Sequence, residues 1–279
     1  MKMKMCCLLI FMISFYRMNA QQVSCCQAPA SDVFNQFASD PAFQQKHESP
    51  IPFKYVGQYG QMIQYDCQDG VKANAFWVPA EMPTNWYLLV IHEWWGLNDY
   101  VKKESVRLSR ALGINVLAVD IYDGKVATKP DDAAKYMQAV KNDRAIHILQ
   151  GAMNYMPAQS QFFSIGWCFG GGWSLQTAIM GGERAAGAVM FYGMPEQKQD
   201  KLQLLQCDVL GIFASKDQWI TPQVYQQFDA DMKEAGKTLE MQVYDADHAF
   251  ANPSSQRYNE TAAQDAYEKV NEFIKKRMK

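Results

Sequence analysis

"SIGWCFGGGWSL", residues 164–175, decides how the chain is read. It begins inside an apolar run, "QFFSIGWC" (161–168), and passes straight into "GGGWSLQTAIM" (170–180), a stretch with helical character. A strand that turns into a helix at Cys168, between Gly166 and Gly170, fits G-x-C-x-G-G. That is the nucleophile-elbow pattern with cysteine in place of serine. In so sharp a turn, side chains at the two glycines would meet neighbouring backbone. The helix would aim its N-terminus at the sulfur, which favours thiolate over thiol. Its free N–H groups would suit an oxyanion. The same glycines also serve close helix–sheet packing, and in that reading Cys168 is only a buried thiol.

Outward from the elbow, apolar strands alternate with amphipathic segments. "YLLVIHE" (87–93), "INVLAVDIY" (114–122), "AAGAVMFYG" (185–193), "DVLGIFASKD" (208–217) and "LEMQVYDAD" (239–247) read as strands. Between them "YVKKESVRLSRALG" (100–113) and "TPQVYQQFDADMKEAG" (221–236) carry helical spacing, and "PDDAAKYMQAVKNDRAIHILQGAMNYM" (130–156) reads as a long helix or a pair. "AAQDAYEKVNEFIKKRMK" (262–279) closes the chain as a helix with Ala263, Tyr267, Val270, Phe273 and Ile274 on one stripe. "MIQYDCQDGVKANAFWVPA" (62–80) predicts a hairpin around Asp69–Gly70. The class is α/β: a mostly parallel twisted sheet with helices on both faces and an antiparallel hairpin at its edge.

A cysteine nucleophile needs a base, and the chain has four histidines. His47 lies in a polar stretch, His92 precedes the elbow at a strand end, and His147 falls mid-helix beside Ile146, Ile148 and Leu149. In the order nucleophile, acid, histidine, only His248 in "YDADHAFANP" fits. Asp217, ending a strand before "QWITP", would orient the imidazole, with a helix N-cap as its bland alternative. Asp245 and Asp247 are rivals, though they sit almost beside His248. In "IHEWWGLND" (91–99) the Trp94 backbone N–H would pair with that of Phe169 as oxyanion donors. Trp94 and Trp95 either wall an apolar pocket or simply pack. Glu93 would place a carboxylate near the thiol.

Taken together, "HEWWG", "DIYDG", "GWCFGG", "FYG", "SKDQWITP" and "DHAFANP" resemble the dienelactone hydrolase (carboxymethylenebutenolidase) family of α/β hydrolases, over about Phe53 to the C-terminus. The resemblance implies the α/β-hydrolase fold and a Cys168–Asp217–His248 triad. It implies that Glu93 pairs with the resting thiol until substrate releases the thiolate toward His248. It also implies a pocket about Trp95, Tyr122, Lys125 and Asn252. Where the family holds a substrate carboxylate with two arginines, this chain carries Gly124 and Asn252, with Lys125 next door. The expected reaction is hydrolysis of a small ester or lactone without metal or organic cofactor, by a monomer. The competing readings are a thiol or redox protein and a catalytically silent binding module on the same scaffold. No C-x-x-C motif supports the redox reading.

The chain has 279 residues, 27 basic and 29 acidic, for a net charge of −2. No basic block invites nucleic acid. "MKMKM" followed by the apolar "CCLLIFMISFY" and polar "RMNAQQ" reads as a secretory signal over 1–20. A secreted or periplasmic fate is expected, with an uncleaved anchor as the alternative. Cleavage removes Lys2, Lys4 and Arg17 and leaves 24 basic against 29 acidic residues, net −5. Residues 21–52 read as a polar extension with a short helix over 31–43, and 53–279 as the hydrolase-like domain. Seven cysteines are present. Cys6 and Cys7 fall in the signal, and the adjacent Cys25–Cys26 reads as a tail, a disulfide partner or a lipid attachment point. Cys67, Cys168 and Cys207 lie in the domain. Asn259 in "NET" matches a glycosylation sequon.

Overall fold

The computed structural model describes residues 36–278. The signal expected over 1–20, Cys25–Cys26 and the first part of the short helix expected over 31–43 lie outside the described residues. The domain is built on an eight-stranded sheet in the order β1-β2-β4-β3-β5-β6-β7-β8. The strands are β1 (Gln61–Tyr65), β2 (Ala73–Val78), β3 (Trp86–Ile91), β4 (Asn115–Val119), β5 (Gln161–Trp167), β6 (Ala185–Phe191), β7 (Val209–Ala214) and β8 (Leu239–Tyr244). β2 pairs antiparallel with both β1 and β4, and every pairing from β4 to β8 is parallel. This is the α/β-hydrolase arrangement. The runs LLVI, NVLAV and VLGIFA are buried throughout because central parallel strands are covered on both faces.

The expected hairpin forms, but its loop is longer than a two-residue turn, since Tyr65 opposes Ala73. Gly70 takes φ 76° within it. Arg144 holds this loop from outside through Asp69, the carbonyls of Val71 and Lys72, and Asp123. Arg144 lies on α4 (Asn142–Tyr155), which follows α3 (Pro130–Ala139), so the long 130–156 segment is a pair broken at Val140.

The helix α2 (Asp99–Leu112) begins where Asn98 accepts from the Val101 N–H at 3.1 Å and ends at Gly113 with φ 68°. It packs against the closing helix α8 (Glu260–Arg277), which Asn259, the sequon residue, caps at its N-terminus. α4 instead packs against α5 (Phe169–Gly181), the elbow helix. These two pairs give the sheet its two helical layers. α6 (Gln199–Leu202) and α7 (Pro222–Glu234) complete the set.

The polar extension contributes α1 (Pro41–Lys46), started by Asp40 accepting from the Ala42 N–H at 2.8 Å. The helix is six residues long, and residues 36 and 37 before it, within the expected span, are helical as well. It is also part of the core: Phe43 and the adjoining His47 are buried.

Candidate active site

The carboxyl ends of the parallel strands converge on one place, as a doubly covered sheet requires. β5 delivers Cys168 at φ 55°, ψ −118°, a conformation costly for a residue with a Cβ. A Cβ at Gly166 would lie 2.0 Å from the Gly170 carbonyl oxygen, and one at Gly170 would lie 2.4 Å from the carbonyl oxygens of Ile91 and His92. The two glycines thus permit the turn and let the first turn of α5 press against the end of β3. That contact places the loop bearing Glu93, Trp94 and Trp95 beside the elbow.

β7 and β8 supply the polar pair. Asp217 Oδ1 accepts from the backbone N–H groups of Trp219 and Ile220, at 2.9 and 3.0 Å. Its Oδ2 lies 2.6 Å from His248 Nδ1. Burial pushes the Asp217 carboxyl upward, but His248 and the two amides outweigh it and hold the group below the ordinary carboxylate range. An ionised carboxylate only accepts, so Nδ1 carries the proton and Nε2 points away from Asp217. That Nε2 is buried with no hydrogen-bond partner among the described residues, and a ring nitrogen of His248 lies within 4.8 Å of Cys168 Sγ. Asp245, one of the rival acids, pairs instead with Lys216 at the surface.

At Cys168 two expectations compete, the thiolate favoured by the helix N-terminus and the resting thiol implied by the family resemblance. A helix N-terminus alone favours thiolate. Complete burial and the nearby Glu93 charge push the thiol well up, and the bond from the Phe169 amide offsets only part of this. Glu93 is buried as well. Desolvation pushes its carboxyl up to about 7, against the opposing pull of the Asn252 bond and the Arg257 charge. Asn252 is held in turn, its Oδ1 accepting from the N–H and hydroxyl of Ser254 at 2.8 and 2.7 Å. Of the remaining expected pocket residues, Trp95 and Tyr122 are buried, whereas Lys125 is exposed with its ammonium over the Tyr136 ring.

Two other histidines have structural roles. His92 accepts from the Ile121 N–H at Nε2 (3.1 Å) and donates from Nδ1 to the Glu93 carbonyl (2.6 Å), and burial lowers it to about 4. His147 stands 3.4 Å from Asp69.

The fourth histidine is a site residue that sequence reasoning misses. His47 Nδ1 bonds the Phe43 carbonyl at 2.7 Å, and its ring centre is 5.5 Å from that of His248. Phe43 and His47 pack on Trp94, Trp219 and His248, and Cys168 has no exposed surface. Nothing local in "FQQKHESP" announces this, because the contact joins opposite ends of the chain. Arg257 is missed in the same way. It donates to the His248 carbonyl at 3.1 Å and, with Lys46, His47, Glu93 and Asn252, lines a cavity of about 370 Å³. Tyr192, in the "FYG" stretch, lies with its ring centre 5.0 Å from that of His248.

The dienelactone hydrolase family model matches residues 75–278. A Saccharolobus solfataricus protein provisionally named carboxymethylenebutenolidase is 30% identical in an alignment of 256 positions that covers 77% of this chain and 97% of that protein. A similarly named protein of Aquifex aeolicus is 25% identical, covering 79% of this chain and all of its own length. Among solved structures, a dienelactone hydrolase-like promiscuous phosphotriesterase from metagenomic libraries superposes with a TM-score of 0.67 at 19% identity, covering 78% of this chain and 99% of its own.

Proposed function

The chain belongs to the dienelactone hydrolase family, and on that premise we propose that it is an exported enzyme that hydrolyses small esters or lactones through a thioester on Cys168. The observation that carries this reading is the buried relay from Asp217 to His248 at 2.6 Å, with a ring nitrogen of His248 within 4.8 Å of the elbow sulfur. In the first half-reaction the Cys168 thiol gives its proton to His248 Nε2 as Sγ attacks the carbonyl carbon. Asp217 stabilises the imidazolium that forms. The backbone N–H groups of Trp94 and Phe169 receive the oxyanion. Collapse of the tetrahedral species expels the alcohol oxygen, which takes the proton back from His248. In the second half-reaction His248 removes a proton from water, hydroxide adds to the thioester, and the carboxylic acid leaves as Sγ is reprotonated.

In the resting arrangement the thiol is protonated, which protects an exported cysteine from oxidation. Substrate entering from the cavity beside Glu93 and Asn252 would separate the sulfur from that carboxylate and complete the contact with His248. Export rests on the sequence of residues 1–20 and is tested by the mass of the secreted chain, which should lack them.

The chemical reading is tested by hydrolysis of a short-chain p-nitrophenyl ester by reduced protein, with Cys168→Ala and His248→Ala beside it. The parent should turn over and both variants should fall to background. Retention of the parent rate by Cys168→Ala would overturn the thioester.

A further inference from the structure

We propose that Cys168 Sγ, His47 Nε2 and His248 Nε2 form a binding site for a thiophilic divalent metal ion of the zinc class. Cys168 Sγ and one ring nitrogen of each histidine lie within 4.8 Å of one another, and all three residues are buried. Both Nε2 atoms lack any hydrogen-bond partner among the described residues. Two imidazole nitrogens without a protein partner beside one buried thiol form a soft donor set that a single metal ion satisfies at once.

The outer shell supports the assignment. A ligating histidine nearly always donates its other ring N–H to a carboxylate or backbone carbonyl, which fixes the tautomer and aims the lone pair. Both rings do so here: His248 Nδ1 to Asp217 Oδ2 at 2.6 Å, and His47 Nδ1 to the Phe43 carbonyl at 2.7 Å. Tetrahedral zinc bonds of roughly 2.0–2.3 Å place ligand atoms ~3.3–3.6 Å apart. The site therefore closes by at most about 1.5 Å, within the reach of side-chain rotation. Three protein ligands leave a fourth position open. The cavity lined by His47, Glu48, Glu93 and Asp247 offers a partly acidic approach.

Binding is written Cys168–SH plus M²⁺ giving Cys168–S–M⁺ plus one released proton, the imidazoles donating lone pairs. Where the thioester reading holds, the same event removes the nucleophile and its base together, so the ion is a reversible inhibitor. That consequence rests on the proposed function, whereas the site itself does not.

The test uses fully reduced full-length chain carrying Cys25→Ser and Cys26→Ser, freed of small thiols, and titrated with Co²⁺ as a spectroscopic probe. One equivalent should produce a near-ultraviolet thiolate-to-cobalt charge-transfer band with intense tetrahedral visible bands, and Zn²⁺ should bleach both. Cys168→Ala should abolish the charge-transfer band. His47→Gln should weaken binding at least about 100-fold, because loss of even an outer-shell partner costs roughly 10–100-fold. His47→Cys, which restores a ligand, should recover binding with a stronger charge-transfer band and so separates ligand loss from misfolding. Zn²⁺ should slow ester hydrolysis with a midpoint that moves by the same factor in His47→Gln. Absence of the band in the parent, or a His47→Gln titration matching the parent, would overturn the site. A protein inert toward esters that still gives the band keeps the metal site and sinks only the hydrolase reading.

Discussion

Phe43 packs edge-on against Trp219, ring centres 5.0 Å apart and planes at 85°, and so ties the N-terminal extension to the loop that begins at Asp217. The same ring packs edge-on against Trp94 on the opposite wall. Phe43→Ala removes a buried side chain that packs on Trp94, Trp219 and His248. Losing a buried phenylalanine costs about 3–5 kcal/mol where the structure holds together. Here a short helix can undock instead. The expected result is at least a tenfold faster alkylation of Cys168 by iodoacetamide, read by mass spectrometry of the Cys168 peptide, with a modest fall in Tm. An unchanged labelling rate would show that the extension does not control access.

Asp217→Asn tests the charge behind His248 while keeping shape. An asparagine can still accept from the amides of Trp219 and Ile220, but it no longer favours the imidazolium or enforces the Nδ1–H tautomer. Loss of kcat on the order of 10³–10⁴-fold is expected, with KM little changed. The stability effect has a defined sign. The folded-state pKa of Asp217 is depressed. Its stabilisation is therefore present above the ordinary carboxylate pKa and is lost as pH falls through the lower, folded-state value. Between neutral pH and pH 5 the parent should exceed Asp217→Asn in Tm, and the gap should narrow on further acidification.

Much of this site is legible in the sequence because its signals are local. Gly166, Cys168 and Gly170 mark a turn that few other residues can make, and strand-ending Asp217 and His248 stand at chain positions their chemistry requires. The uniformly apolar strands betray the parallel sheet for the same reason: burial on both faces leaves no alternation. Phe43, His47 and Arg257 are illegible because each is defined by what it meets far along the chain. At Cys168 the helix N-terminus that favours thiolate is visible in the sequence, whereas the burial that outweighs it is not. α1 starts at Pro41 because Asp40-Pro41 is a capping pair, which restarts the helix after the turn at 38 and 39.

His92 makes stability depend on pH at mildly acidic values. Its Nε2 lone pair is committed to the Ile121 N–H, so protonation breaks a buried bond, and its pKa is lowered to about 4. For a depressed histidine the unfolded chain takes up the proton first. Stability is whole above about 6.5, the ordinary value, and declines as pH falls toward 4. The imidazole carbon-bound proton signals of His92 should stay fixed between pH 8 and 5. A His92 signal titrating near 6.5 would contradict this geometry.

Glu93→Gln bears on how the thiol is kept quiet. The Glu93 carboxyl ionises near 7, so above neutral pH it adds a negative charge close to Cys168 and opposes the thiolate. Glutamine keeps the size and can still accept from Asn252, but it carries no charge. The pH dependence of Cys168 alkylation should therefore move to lower pH in Glu93→Gln, with a several-fold faster rate at pH 8. At pH 5.5, where Glu93 is mostly protonated, the two proteins should react at similar rates. That convergence is the diagnostic part. A merely looser site would speed labelling at both pH values, and a carboxylate that did not act on the sulfur would leave both rates alone. Because the variant removes a buried ionisable acid, it should also lose the decline in stability that the parent suffers as pH rises from the ordinary glutamate pKa through 7. Thermal melts at pH 5.5 and 8, run beside the alkylation profiles, read this second effect independently. A parent and variant with parallel melting curves would place the Glu93 ionisation outside that range and remove the basis for the shifted profile.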